Sequence, residues 1–251
     1  MFEKIEIIRR LLGTLVLAIG SLGCALQLYR FSRGQTRRVP VITLVIIGGT
    51  ALVTGLQFVF PEVLTALRRN REALLAGEWW RMVTPLFVHA YGWWHACVNG
   101  VAAILFFPVA ERLYGKKLWA LYFIPGVVGQ IFGYWWSPNA AGSSLGIAGV
   151  IGGLFAFAVL HRRELSGSAQ LFALCGIAGA VALCFWRDIH GPPTVLGILL
   201  AGVMTILEVA HRERALLRSQ LPKDFNPGDA ATREIVRDPP CDVCHPLLPS
   251  C

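Results

Sequence analysis

The stretch WWHACVNGVAAILFFPVAERL, from Trp93 to Leu113, decides the fold. It carries no charge before Glu111-Arg112, and only His95 and Asn99 interrupt the apolar character of its body. A helix of this length covers roughly 30 Å, the thickness of a bilayer's hydrocarbon core. Six similar runs flank it: Leu11 to Tyr29, Val39 to Phe60, Leu118 to Trp136, Leu145 to His161, Ala169 to Trp186 and Pro192 to Ala210. So many repeated spans exclude a soluble core and predict an all-α, polytopic membrane helix bundle.

Composition agrees. Of the 251 residues 55% are hydrophobic and 15% charged, a balance that belongs to a membrane protein. The formal charge of +8 does not mark a nucleic-acid binder, because the basic residues sit in short clusters between apolar runs and form no stripe. Those clusters follow every second span: Arg30, Arg33, Arg37 and Arg38; Arg112, Lys116 and Lys117; Arg162 and Arg163; Arg212, Arg214 and Arg218. Basic joints stay in the cytoplasm, so the N-terminus is expected outside and the C-terminus inside, in a bacterial inner membrane. Lys4, Arg9 and Arg10 oppose that orientation. A rival reading makes Leu11 to Gly23 the core of a cleaved signal peptide with Cys24 as lipid-attachment site, but it would leave Arg30 to Arg38 on the wrong face.

Pro61 to Gly92 is too polar to span, and it holds Trp79 and Trp80 with Trp93 and Trp94 just beyond. Tryptophan favours the headgroup layer, so an amphipathic hairpin in the interface is expected. Within it Arg81 either ties the loop down by bonding backbone carbonyls or snorkels among headgroups.

Gly77-Glu-Trp-Trp-Arg-Met-Val-Thr-Pro-Leu-Phe-Val-His89, with His95-Ala-Cys-Val-Asn99 after it, resembles the rhomboid family of intramembrane serine proteases. Glu111-Arg112, Gly146-Ile-Ala-Gly149 and Gly197-Ile-Leu-Leu-Ala-Gly202 continue the resemblance in the same order, across about half the chain. It implies a six-helix core over 39–212, preceded by an extra N-terminal helix and basic loop over 1–38; the polar, Pro-rich composition of 213–251 predicts a largely disordered tail. Active members use a serine in a Gly-x-Ser-Gly turn on core helix four and a histidine on core helix six, because serine needs a base to take its proton. The resemblance assigns oxyanion stabilisation to His95 and Asn99, one turn apart on one helix face.

Carried over position by position, the serine falls on Ala148 and the histidine on Thr194. Neither can do the chemistry, which implies a pseudoprotease that binds transmembrane segments of client proteins between core helices two and five. Two alternatives keep an active endopeptidase. Ala148 is an engineered replacement of serine, or Ser144 and His190, each four residues earlier and so one turn away on the same face, form a shifted dyad. The bland reading of the latter pair is a Ser-Ser turn and a loop leading to a helix with proline in its first turn. A transporter is disfavoured because the spans lack mid-membrane carboxylates.

Trp80, Arg81, Glu111, Arg112, Gly146, Gly149 and Gly197 are read as structural motif positions, the glycines permitting close helix approach together with Gly152, Gly153 and Ala201. Cys24, Cys97, Cys175 and Cys184 read as small hydrophobes in spans. In the tail, Cys241-Asp-Val-Cys244-His245 has haem-attachment spacing, and with Cys251 it supplies four donors for a zinc ion; a plain reduced tail is the bland alternative, and no cofactor is expected. The expected partners are the lipid bilayer and transmembrane segments of other proteins.

Overall fold

A computed structural model describes residues 2–34 and 39–220, and among these there is no strand. The seven expected spans are all helices: α1 Phe2–Ser32, α2 Val41–Val59, α5 Gly92–Tyr114, α6 Leu118–Trp136, α7 Ser144–Leu160, α8 Gly167–Phe185 and α9 Gly191–Gln220. Two short helices, α3 Pro61–Leu67 and α4 Arg71–Leu75, and 3-10 turns at Trp79–Met82 and Thr84–Phe87 fill the polar segment between α2 and α5. By length and apolar character Ile5–Ser32, Val41–Val59, Gly92–Trp136, Gly167–Phe185 and Gly191–Leu216 can each cross a bilayer. Gly92–Trp136 is two helices, parted by a turn at Gly115 whose φ of 55° suits glycine. α7 is shorter, and its buried residues surround it on all sides.

Residues 1–204 form one compact unit. Residues 205–220, the described part of the second, continue as helix with an Arg212–Glu208 ion pair one turn apart. The cysteines and histidine of the tail lie outside the described residues.

The first unit has an apolar core like that of a soluble protein, but its outer surface is apolar as well, and polar side chains are set into the interior. Leu11, Leu52, Leu171 and Phe185 point outward, while Thr43, Thr54, Gln57, Asn99, Gln130 and Thr194 are inside. Without a hydrophobic force to drive helices together in lipid, contact relies on small residues and internal hydrogen bonds. A Cβ on Gly146 would strike the Tyr122 ring, one on Gly149 would strike Pro125, and one on Gly197 would overlap the Gly149 backbone. α7 therefore lies directly against α6 and α9. α1 packs along α8 in the same way, through Gly13, Gly20 and Gly23 on one side and Gly176 and Gly179 on the other.

The polar side chains tie the bundle at its ends. Glu111 accepts hydrogen bonds from the Ile42 and Thr43 amides at 2.9 and 2.7 Å, capping α2 from the far end of α5. Arg81 donates to the Thr65 and Arg68 carbonyls at 2.9 and 2.7 Å and pairs with Glu78, so the hairpin is anchored in the first of the two ways its sequence allowed. The rings of Trp79 and Trp80 stay exposed beside it.

Candidate active site

The first turns of α5, α7 and α9 meet at the end of the bundle that carries the hairpin. Ser144 is the first residue of α7, and His190 immediately precedes α9. Their side chains are joined, with Ser144 Oγ 3.1 Å from His190 Nε2. The opposite ring nitrogen, Nδ1, lies 2.7 Å from Asp188 Oδ1. An ionised carboxylate only accepts, so Nδ1 carries the proton and Nε2 is left with the lone pair that faces the serine hydroxyl. Asp188 also accepts from the His190 backbone amide at 2.9 Å, and this closes a tight turn around the histidine.

That turn is locally strained. Arg187, just before Asp188, has a φ of 54°, unusual for a residue other than glycine. Gly191, just after His190, has no room for a side chain because the Cys184 backbone lies against it. Burial pushes the Asp188 carboxyl up, but the hydrogen bonds and charge of His190, with Arg10 further off, outweigh it and hold the group below its ordinary value. Asp188 thus stays ionised and keeps the ring fixed.

Next to this pair are His95 and Asn99. A Cβ at Gly142 would lie 2.9 Å from His95 Nε2 and 3.5 Å from Asn99 Nδ2, so both groups reach over the backbone two residues before Ser144. Asn99 Nδ2 and His95 Nδ1 are buried without a hydrogen-bond partner. A cleft of about 60 Å³ brings together Tyr91, His95, Gly142, Ser144 and His190, with Arg69 at its edge. Polar atoms around a space of this size suit a water or a carbonyl group.

Ala148 and Thr194, on which the position-by-position reading placed nucleophile and base, sit one turn deeper, where α7 meets α9. Ala148 is buried, and the Thr194 hydroxyl donates to the His190 carbonyl at 2.7 Å, an ordinary bond within a helix. Neither lines the cleft. Gly142-Ser143-Ser144 keeps a glycine two places before the serine, but Leu145 stands where the family's turn has a second glycine. A Cβ on Gly129 of α6 would stand 3.3 Å from the Leu145 side chain, so the glycine there leaves room for the leucine.

Several residues of the site were not singled out by their sequence. Asp188 was legible only as part of Asp-x-His-Gly before a helix. Ser143 accompanies its neighbour: its Oγ lies 3.2 Å from His89 Nε2, while His89 Nδ1 meets Thr54 Oγ1 at 3.0 Å and Gln57 brackets the His89 backbone. Arg69 is fully buried, bonding the Ser137 carbonyl at 2.8 Å and Gln130 at 2.6 Å. These contacts lock the hairpin and the α6–α7 connection around the cleft.

A bilayer-embedded helix bundle with a serine, an oriented imidazole and unspent donors at one end has the organisation of a serine hydrolase built inside a membrane. The chain belongs to the rhomboid family: the family's domain model matches residues 76–211. It is 30% identical over 194 residues to "Putative rhomboid protease YdcA" of Bacillus subtilis (strain 168), covering 71% of this chain and 93% of that one. "Rhomboid protease GluP" of the same organism is 34% identical over 105 residues, 41% and 20% of the two chains. "Rhomboid protease AarA" of Providencia stuartii is 28% identical over 154 residues, 53% of each.

Proposed function

We propose that this rhomboid-family protein is a working intramembrane serine endopeptidase that cuts transmembrane segments of other membrane proteins, with Ser144 as nucleophile and His190 as general base. The observation that carries the reading is the Ser144–His190–Asp188 chain of contacts at 3.1 and 2.7 Å. Ser144 Oγ attacks the scissile carbonyl carbon while His190 Nε2 takes its proton. Asp188 steadies the resulting imidazolium. The carbonyl oxygen, now negatively charged, is received by Asn99 Nδ2 and by His95, whose unpartnered polar atoms stand ready before substrate arrives. Collapse of the tetrahedral intermediate expels the amine, which takes the proton back from His190, and water then releases the acyl-enzyme by the same path in reverse.

The competing reading, a pseudoprotease that holds client segments without cutting them, rested on Ala148 and Thr194 being the site positions. A fluorophosphonate probe with purified protein in bilayers separates the two. The peptidase reading expects labelling of the unmodified chain, none in Ser144→Ala and slow labelling in His190→Ala, with proteolysis of a generic transmembrane substrate following the same order. An unlabelled, inactive parent protein leaves the binding-only role.

A further inference from the structure

α1 stands before the matched family domain in sequence, yet its N-terminal half lies beside the reactive end. It packs along α8, whose last turn leads through Arg187 into Asp188 and His190. A Cβ on Gly13 would stand 2.7 Å from the Trp186 ring and 2.9 Å from the Leu183 side chain. Nearer the start of α1, Ile5, Glu6 and Arg9 share a pocket with Phe185, Trp186 and Arg187.

We infer that α1 belongs to the catalytic apparatus, with Gly13 and Arg10 as positioning residues that hold the Asp188 turn, and through it the His190 ring, against Ser144; the inference rests on the peptidase reading. The contacts form a continuous path. Leu183, fully buried against Gly13, accepts the Asp188 amide on its carbonyl at 2.9 Å. Trp186, the other side chain on Gly13, is bonded directly to Arg187, whose φ of 54° persists only where the surroundings hold it. Past that residue Asp188 fixes the His190 ring and amide, and Gly191 donates to the Asp188 carbonyl at 3.2 Å. A shift of Trp186 or Leu183 therefore reaches His190 through a short turn that no regular helix stiffens. Were α1 absent, the same face of α8 would meet fluid acyl chains, which cannot hold a strained turn in one conformation.

Arg10 adds charge to this mechanical support. It lies four residues after Glu6 and three before Gly13, so the three share one helix face. Its Nη2 pairs with Glu6, its Nε is buried without a partner, and its positive charge acts on the Asp188 carboxyl. The basic joints argue against arginines at this end of α1, and a role at Asp188 gives Arg10 a reason to be there.

The α1–α8 seam supplies a matched control. A Cβ on Gly23 would strike the Phe172 ring, as one on Gly13 meets Trp186, but about 15 Å further along α1 and away from the turn. Each alanine variant, in full-length protein in nanodiscs, thus presses on one aromatic ring of α8. Only Gly13→Ala is expected to slow fluorophosphonate labelling per folded molecule, by about tenfold or more. Arg10→Gln should move the acid limb of the labelling rate to higher pH, because the Asp188–His190 pair loses a neighbouring positive charge and takes up a proton more readily. The other groups about the carboxyl, the Cys184 thiol and the adjoining Arg187, are the same in that variant. Arg10→Lys should restore the parent profile, and Arg9→Gln should leave it in place. Equal labelling rates in Gly13→Ala and Gly23→Ala would overturn the role of Gly13, and an unmoved acid limb in Arg10→Gln that of Arg10. Amide exchange over residues 186–191 reads the turn without any chemistry at Ser144, and it should quicken in Gly13→Ala but not in Gly23→Ala. A parent protein that resists the fluorophosphonate ends the peptidase reading alone, whereas equal exchange in the two alanine variants ends the support of the turn by α1.

Discussion

Replacing Gly197 by alanine perturbs fold and site together. A Cβ there would stand 2.8 Å from the Gly149 carbonyl carbon and 2.9 Å from its Cα, and nearer still to the oxygen. Carbon atoms rest comfortably at about 3.5–4.0 Å, so α7 and α9 would have to part by roughly 1 Å. Backbone on both sides cannot rotate away as a side chain could. The expected cost is that of overpacking, ~1–3 kcal/mol. Because Ser144 heads α7 and His190 precedes α9, the same movement lengthens their 3.1 Å contact toward 4 Å, beyond hydrogen-bond range. Gly197→Ala should therefore lower the thermal midpoint in detergent and slow fluorophosphonate labelling by much more than the loss of folded protein explains. Gly202→Ala, in the same helix with nothing within 4 Å of its new Cβ, is the control. It should be neutral or slightly stabilising, since alanine is the better helix former by about 1 kcal/mol. Equal behaviour of the two variants would refute the α7–α9 contact as the element that sets site geometry.

Removing the cap in Glu111→Ala strands two amides at the start of α2 and should cost ~1–3 kcal/mol for each buried donor left unpaired, measured by denaturant unfolding in micelles; an unchanged midpoint would contradict the capping role. Burial, reinforced by the charge of His95, pushes His89 from 6.5 down to about 4. The unfolded chain takes up a proton there that the folded one refuses, so stability is full above about pH 6.5 and falls toward pH 4, by up to ~3 kcal/mol. His89→Gln should flatten that slope, and a parent protein equally stable at pH 7 and 4.5 would remove the assignment. Ala148→Ser should add no second labelled serine, because residue 148 is buried one turn from His190; new labelling in a Ser144→Ala background would restore the deeper register. The positive-inside rule applied to the basic joints predicts a cytoplasmic C-terminus, and on that expectation a reporter fused after Cys251 should work only if it is a type that folds in the cytoplasm; activity of a periplasmic reporter would refute it.

The sequence by itself determined that the chain is a membrane helix bundle and where its long apolar helices lie, because apolar length is a local property that bilayer thickness makes decisive. It also determined that Arg81 and Glu111 belong to the joints, since charges in hydrocarbon are too costly to stand elsewhere without a purpose. It left open which register brings a serine hydroxyl to an imidazole, a contact the structure places at Ser144 and His190. Ser144 and Ala148, like His190 and Thr194, lie four residues apart on the same helix face, so a one-turn slip preserves every periodic signal and the glycine spacing that carried the family resemblance. Which turn of α7 faces which turn of α9 depends on how deeply Gly149 and Gly197 let the two helices approach, and on the Asp188 turn that holds His190 above α9. The seat of Trp186 on Gly13 was invisible for the same reason: glycine in a sequence says that a side chain is missing, and only the neighbouring helix decides what fills the gap.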